Sequence, residues 1–496
     1  MAHHRKKPAP VAFLYENSLF LIAGAVGALI WANVNAESYK RFVDLDLLGG
    51  NAEHSVTAEH STNTEHDAEH SSGEAADDNS EHAEHAVAAV DNSHAGDQHE
   101  ATGHDAAHRT DKAATEHAGG HHGFTISFLI NDILMALFFA IAAKEVWEAM
   151  LPGGALSNPK KAATPLMATL GGVVAPAGVY LACASMTGES VLMGGWAVPC
   201  ATDIAFSYLV ARLIFGQGHP AIAFLLLLAI ADDAAGLVIL ALFYPSAPLA
   251  PAWLGVTAAA VALCFGFRKM RIHSFWAYLL VPGVMSWFAF YKAGIHPALG
   301  LVPIIPALPH AKTDLGIFAR DELNRDDTLN EFEHWWKDPV ELILGLFGLA
   351  NAGVAFSAVG GGTWAVLAGL LIGKPLGITL FTWLAQKLFR LEIPGGMTYR
   401  HVVTLGMVAA IGFTVALFVS TAAFGGGKAP VEILDSVKMG ALGSFGAAIL
   451  AIVLGRSLGI RPQKSLDEAL AKVTPEADAE ATGESESASS ICVATT

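Results

Sequence analysis

Charge is scarce in this chain of 496 residues. Asp, Glu, Lys and Arg make up 15% of it, where soluble proteins carry about a quarter. With 53% hydrophobic residues and a mean hydropathy of +0.44, that scarcity excludes an ordinary soluble enzyme. Cysteine is scarce too. Cys183, Cys200, Cys264 and Cys492 are too few and too scattered for a disulfide framework or a cysteine-based metal centre. Three lie in apolar runs, where a small buried hydrophobe is the natural role. Positive charge is in deficit, 29 Lys and Arg against 46 Asp and Glu, a net of −17. The deficit is local: residues 51–122 carry −14 and residues 461–496 carry −4, which leaves +1 for the rest. The chain is a near-neutral apolar body with two acidic appendages, and its bulk charge says little about its partners.

A membrane-crossing helix needs about 20 mostly apolar residues. Twelve segments meet or approach that length: 12–34, 124–144, 163–184, 196–213, 220–243, 249–267, 275–291, 294–308, 338–357, 364–386, 401–423 and 434–455. The first follows Arg5, Lys6 and Lys7 as a signal peptide would, but it is too long for one and eleven more follow. The eighth is short and holds Pro297, Pro303 and Pro306, tolerable only where neighbours or a wet cavity satisfy its backbone. The fold expected is an all-α polytopic membrane protein of about twelve transmembrane helices. Its parts are the N-terminus with the first span (1–50), an insert (51–122), a body of spans two to twelve (123–456) and an acidic tail (457–496).

Lys and Arg in short flanks set orientation. Arg5, Lys6 and Lys7, then Lys160 and Lys161, Arg268, Lys269 and Arg271, and Arg456, Arg461 and Lys464 all fall on one side. Both termini are then cytoplasmic, and the insert is extracytoplasmic. Segment 309–337, dense in charge from Asp321 to Glu333, reads as a cytoplasmic loop.

Ionisable residues inside the apolar runs are the informative ones. Asp203 lies in span four, Asp232 and Asp233 in the middle of span five, and Lys374 near the centre of span ten. Four such residues cost roughly 10–14 kcal/mol on insertion scales. Lys374 can also snorkel to an interface, and Asp203, after Pro199 and Thr202, can also cap a broken helix. The pair Asp232-Asp233 resists a packing role, because helix neighbours point about 100° apart. Three carboxylates and one ammonium suit a site where a small hydrated cation competes with protons, since hard cations prefer carboxylate and hydroxyl oxygen and crowded carboxylates titrate together. Span eleven carries Gly406, Gly412 and Thr414 in its middle, as span four carries Pro199 and Thr202. Each is the central member of a triplet, spans 3–5 and spans 10–12. Interrupted helices in paired inverted repeats mark midplane sites in secondary transporters, the family named next among them.

The chain resembles the NhaA-type Na+/H+ antiporters from residue 12 to about 456, apart from the insert. The resemblance rests on Ile30-Trp31-Ala32-Asn33, Ile130-Asn131-Asp132, Ala201-Thr202-Asp203-Ile204-Ala205-Phe206, Ala229-Ile230-Ala231-Asp232-Asp233, Ala350-Asn351-Ala352-Gly353-Val354, Gly373-Lys374-Pro375-Leu376-Gly377 and Gly412-Phe413-Thr414. It implies that Asp232 and Asp233 hold Na+ (or Li+) and protons alternately, with Thr202 and Asp203 at the crossing of two broken helices, four and eleven. It implies Lys374 as the charge-compensating partner, electrogenic exchange, and a bacterial inner-membrane location. It implies a pH response at a cytoplasmic entrance, with Glu145, Glu333 and His296 as the matching residues. A homodimer is one expectation; enzyme activity, a cofactor and a nucleic-acid partner are not expected. Two departures stand out. Trp147 and Glu148 replace the basic residues that usually follow Glu145, and Ala231 stands where a larger aliphatic is common, which implies a looser cavity.

The insert holds 13 of the chain's 21 histidines and almost no large apolar residues, so it cannot bury a core. His66-Asp67-Ala68-Glu69-His70 fits an inverzincin pattern, but so His- and Glu-rich a segment yields such matches by chance. Loose zinc or nickel binding, a proton buffer and a passive spacer are its open roles. A divalent-metal/proton exchanger fed by this insert is the alternative transport reading. An intramembrane protease is set aside, because adjacent aspartates on one helix cannot face each other across a scissile bond. A cation sensor without transport is the binding-module alternative.

Overall fold

Long apolar runs punctuated by proline, glycine and capping residues dictate helices, and helices are what form. A computed structural model describes residues 19–47, 124–310 and 327–462. All regular structure among them is helical. The insert, the TPEADAEATGESESASS tail and residues 311–326, with the roles expected of them, lie outside the described residues. The chain divides into two units, Met1–Leu45 with Thr125–Thr496, and Asp46–Phe124; every helix below belongs to the first.

In chain order these are α1 (Leu19–Val34), α2 (Ile126–Met150), α3 (Pro159–Thr187), α4 (Ile204–Phe215), α5 (Pro220–Phe243), α6 (Leu254–Lys269), α7 (Val284–Ala293), α8 (Thr328–Asn351), α9 (Gly361–Phe389), α10 (Tyr399–Ala409), α11 (Phe413–Phe424) and α12 (Val431–Ser457). By length and apolarity, six helices among the described residues can cross a membrane, or eight if each bent pair counts as one span. The expectation of twelve is met only in this coarser form. The eighth segment is not an α-helix: Pro297, Pro303 and Pro306 confine it to 3-10 turns at Pro297–Leu299 and Val302–Ala307. The last part of the loop expected at 309–337 is also corrected, over 328–337. Asp327 caps Asn330 with its carboxylate at 2.9 Å, and α8 begins at Thr328, inside the charged stretch. Charge there forbids lipid but not a helix.

Helix pairs meet where side chains are smallest. A Cβ on Gly24 would fall 2.0 Å from the Gly345 carbonyl oxygen, and one on Gly171 only 2.2 Å from that of Gly377. So α1 packs on α8, and α3 on α9, backbone to backbone, as small residues allow in membranes. Gly171→Ala must force α3 and α9 apart. We expect a loss of about 1–3 kcal/mol from overpacking, read as a lower apparent melting temperature in detergent.

Polar residues of the first, second and ninth spans, with Tyr39, tie α1 and α2 to α8 and the residues just after it. Asn33 donates to the Val354 carbonyl (2.9 Å) and accepts from the Phe356 amide (2.9 Å). The Tyr39 hydroxyl meets the carbonyls of Leu349 and Ala350, each at 2.9 Å. Asn351 donates to Asn131 at 2.8 Å and accepts from it at 3.3 Å. Asn131 sits in a π-turn of α2, Leu129–Leu134, and a second π-turn, Gly369–Gly373, ends directly at Lys374. π-bulges re-aim the side chains that follow them and recur at functional sites.

Candidate functional site

Two helices are broken and lie against each other at the breaks. Ser190–Cys200 and α4 meet at a 55° bend, α10 and α11 at 49°. Pro199 and Gly412 explain why. Pro199 has no amide proton to continue a helix, and a Cβ on Gly412 would fall 2.7 Å from the Ala201 carbonyl oxygen. The freed backbone groups find partners across the crossing. The Asp203 amide donates to the Ile411 carbonyl (2.8 Å), Ser207 Oγ to that of Val408 (3.1 Å), and Thr202 Oγ1 to that of Ala409 (3.2 Å). The Asp203 carboxylate caps α4 through the Phe206 amide (3.1 Å) and accepts from the Thr414 hydroxyl. The capping role considered for Asp203 is therefore real, and it sits inside the crossing.

Beside this crossing α5 presents Asp232, only 2% exposed. Its Oδ2 accepts from Thr202 Oγ1 at 2.8 Å and from Lys374 Nζ at 3.0 Å. Lys374 is fully buried and also donates to the Cys200 carbonyl. It does not snorkel. Its ammonium joins α9 to the break before α4 and to α5. Opposite charges at this separation in a low-dielectric interior attract strongly, which offsets the cost of burying both.

Asp233 differs from its neighbour. It is half-buried, makes no ion pair or hydrogen bond among the described residues, and lines a small cavity with Asp232, Phe138, Ala142, Ala201 and Val415. Ala231 is buried and does not line that cavity, so the shape difference expected there falls elsewhere. One carboxylate is held by an ammonium and a hydroxyl, and the next faces the small cavity. Such a pair can accept a cation or a proton at Asp233 without first breaking an internal contact.

The three pH-response candidates are not one group. Glu145, on the last third of α2, is exposed and makes no ion pair among the described residues. Glu333, early on α8, accepts from Lys144, the residue just before Glu145. His296 lies beside Asp132, thirteen residues earlier on α2, with Nδ1 3.8 Å from Asp132 Oδ1. At 1.5 Å per residue that is about 20 Å from Glu145.

Lys144 does not announce itself in the sequence. It is 4% exposed and pairs with Glu333 and with Glu148, the latter at 2.5 Å. A basic residue is therefore present three positions before Trp147, but it pairs with Glu333 and Glu148 and not with Glu145. The i, i+4 spacing of Lys144 and Glu148 is the one local signal for it.

The bent helix pairs, the glycine seams and the buried ammonium–carboxylate pair define a polytopic, all-helical membrane protein built round an ionic site. Residues 86–455 match the family described as Na+/H+ antiporter 1. The Na+/H+ antiporter NhaA of Jannaschia sp. (strain CCS1) is 46% identical over 476 residues, covering 91% of this chain and 98% of that protein. Those of Geotalea uraniireducens and Geobacter sulfurreducens are 51% and 47% identical, covering 67% and 68% of this chain and 86% and 88% of theirs. The chain belongs to the Na+/H+ antiporter 1 family.

Proposed function

We propose that this chain is a secondary transporter that exchanges Na+ or Li+ for protons across a bacterial inner membrane, by alternating access at Asp232 and Asp233. The observation that carries this reading is the asymmetry of the two carboxylates, Asp232 paired with Lys374 and Asp233 facing a cavity unpaired. In this reading the chain crosses the membrane twelve times with both termini in the cytoplasm. Spans 3–5 and 10–12 are inverted repeats, and the two breaks lie at the midplane. Ions enter past Glu145 and Glu333, which take the pH-responsive role, and the cation is held by carboxylate and hydroxyl oxygen from Asp233, Asp232 and Thr202. Proton entry displaces it, and Lys374 and Asp203 balance charge at the crossing.

Two carboxylates carrying two protons differ by one unit of charge from the same pair carrying one Na+. The exchange is then electrogenic, and each cycle gains about 2.3 kcal/mol per 100 mV. Purified protein in proteoliposomes should move protons when Na+ is added, faster when a K+ gradient with valinomycin imposes a favourable potential. Proton movement that ignores Na+ would overturn the exchange. Movement that ignores the potential would overturn its electrogenic part alone.

A further inference from the structure

Lys144 is a charged group for which the exchange at Asp232 and Asp233 has no use, yet the fold buries it. Its ammonium receives carboxylates from two helices, Glu148 one turn along α2 at 2.5 Å and Glu333 from α8. Both acids converge on one nitrogen. Around them lie two further charges, Glu145 and Lys337, the latter close enough to act on Glu145 electrostatically. Formal charges over the five groups give −1 with Lys144 and −2 without it.

An ammonium so placed does what a bound cation would do. Ca2+ takes carboxylate oxygens at about 2.3–2.6 Å, and Mg2+ is held by one or two carboxylates with water completing its shell. Two carboxylates drawn together from neighbouring helices would suit either ion if nothing stood between them. A tie between α2 and α8 could be made by apolar packing without burying an ammonium, so the charge itself calls for a purpose.

We propose that Lys144 is a specificity-determining residue: its ammonium is a built-in cation that fills the Glu148–Glu333 pair at the cytoplasmic mouth, so divalent ions find no paired carboxylates ahead of Asp233. Glu145 is left as the open carboxylate on the way in, with Ala142 one turn before it in the cavity wall. This rests on the exchange proposed above, with α2 ending at the cytoplasmic face. Removing the ammonium doubles the net negative charge of the mouth, and a dication feels that change twice as strongly as Na+ does.

The test is Na+-dependent proton flux in everted vesicles, cytoplasmic face outward, with Mg2+ or Ca2+ titrated outside. Lys144→Gln should become inhibited at divalent concentrations at least about tenfold below those that affect the parent. Lys144→Arg should keep parental insensitivity, and Lys144→Gln with Glu148→Gln should regain it. Should Lys144→Gln not reach the membrane, Lys144→Leu fills the same volume without a polar group and carries the same test. Equal divalent sensitivity in parent and single variant, or undiminished inhibition in the double variant, would overturn the role of Lys144. Absence of exchange in the parent would instead overturn the transport reading itself.

Discussion

Asp233→Asn abolishes Na+-dependent proton exchange in everted vesicles, to the background of vesicles lacking the protein, while the variant still accumulates in the membrane. Asn keeps the shape of the side chain but holds neither a proton nor a full charge for the cation. Because Asp233 is half-buried and has no partner among the described residues, the substitution leaves no other group stranded. Its effect is thus confined to transport. Full exchange in this variant would sink the assignment of Asp233 as acceptor. Asp232→Asn is the less clean experiment. It strands the Lys374 ammonium, which is fully buried, so its transport defect has to be read beside a melting curve.

Lys374→Met should be the most destabilising single change at the crossing. It removes the ammonium that Asp232 accepts from at 3.0 Å and leaves a carboxylate, 2% exposed, held by the Thr202 hydroxyl alone. Breaking a buried pair by deleting one partner costs about 3–5 kcal/mol. For a chain of this size the fall in melting temperature is about 3–5 °C. Combining it with Asp232→Asn removes the orphaned charge as well, and most of the loss should return. The four proteins form a double-mutant cycle, measured by thermal unfolding in detergent. A Lys374→Met protein as stable as the parent, or a double variant no better than the single, would mean that the pair does not hold the crossing together.

Much of this site is legible in the amino-acid sequence, for one physical reason. A charge in an apolar run is expensive, so Asp203, Asp232, Asp233 and Lys374 stand out against their surroundings. What holds them together does not. The Asp203–Ile411 and Thr202–Ala409 contacts join residues more than 200 positions apart, and no local pattern encodes such a partner. Lys144 is hidden because it lies near the end of an apolar run, where a lysine reads as a boundary. The start of α8 is hidden for the converse reason: hydropathy measures how long a segment can sit in lipid, and Thr328–Lys337 is helical without being apolar. Proline in the eighth segment and the glycines of the eleventh are correctly informative, since each changes what the backbone can do and not merely how greasy it is.

The glycine seam between α3 and α9 has a consequence for how ion affinity can change over generations. With no side chain between them at Gly171 and Gly377, the two helices are packed backbone to backbone, and Lys374 stands one turn before Gly377 on α9. A Cβ at Gly172 would come within 3.9 Å of the Lys374 side chain. Helix α3 carries no charged residue after Lys161. Even so, a methyl group gained at Gly172 would press on the Ile378 side chain, 3.2 Å away and one turn after Lys374 on α9. If Asp232 and Asp233 hold the cation as proposed, variants that tune that hold can arise on α3, and a comparison limited to the two aspartates would overlook them.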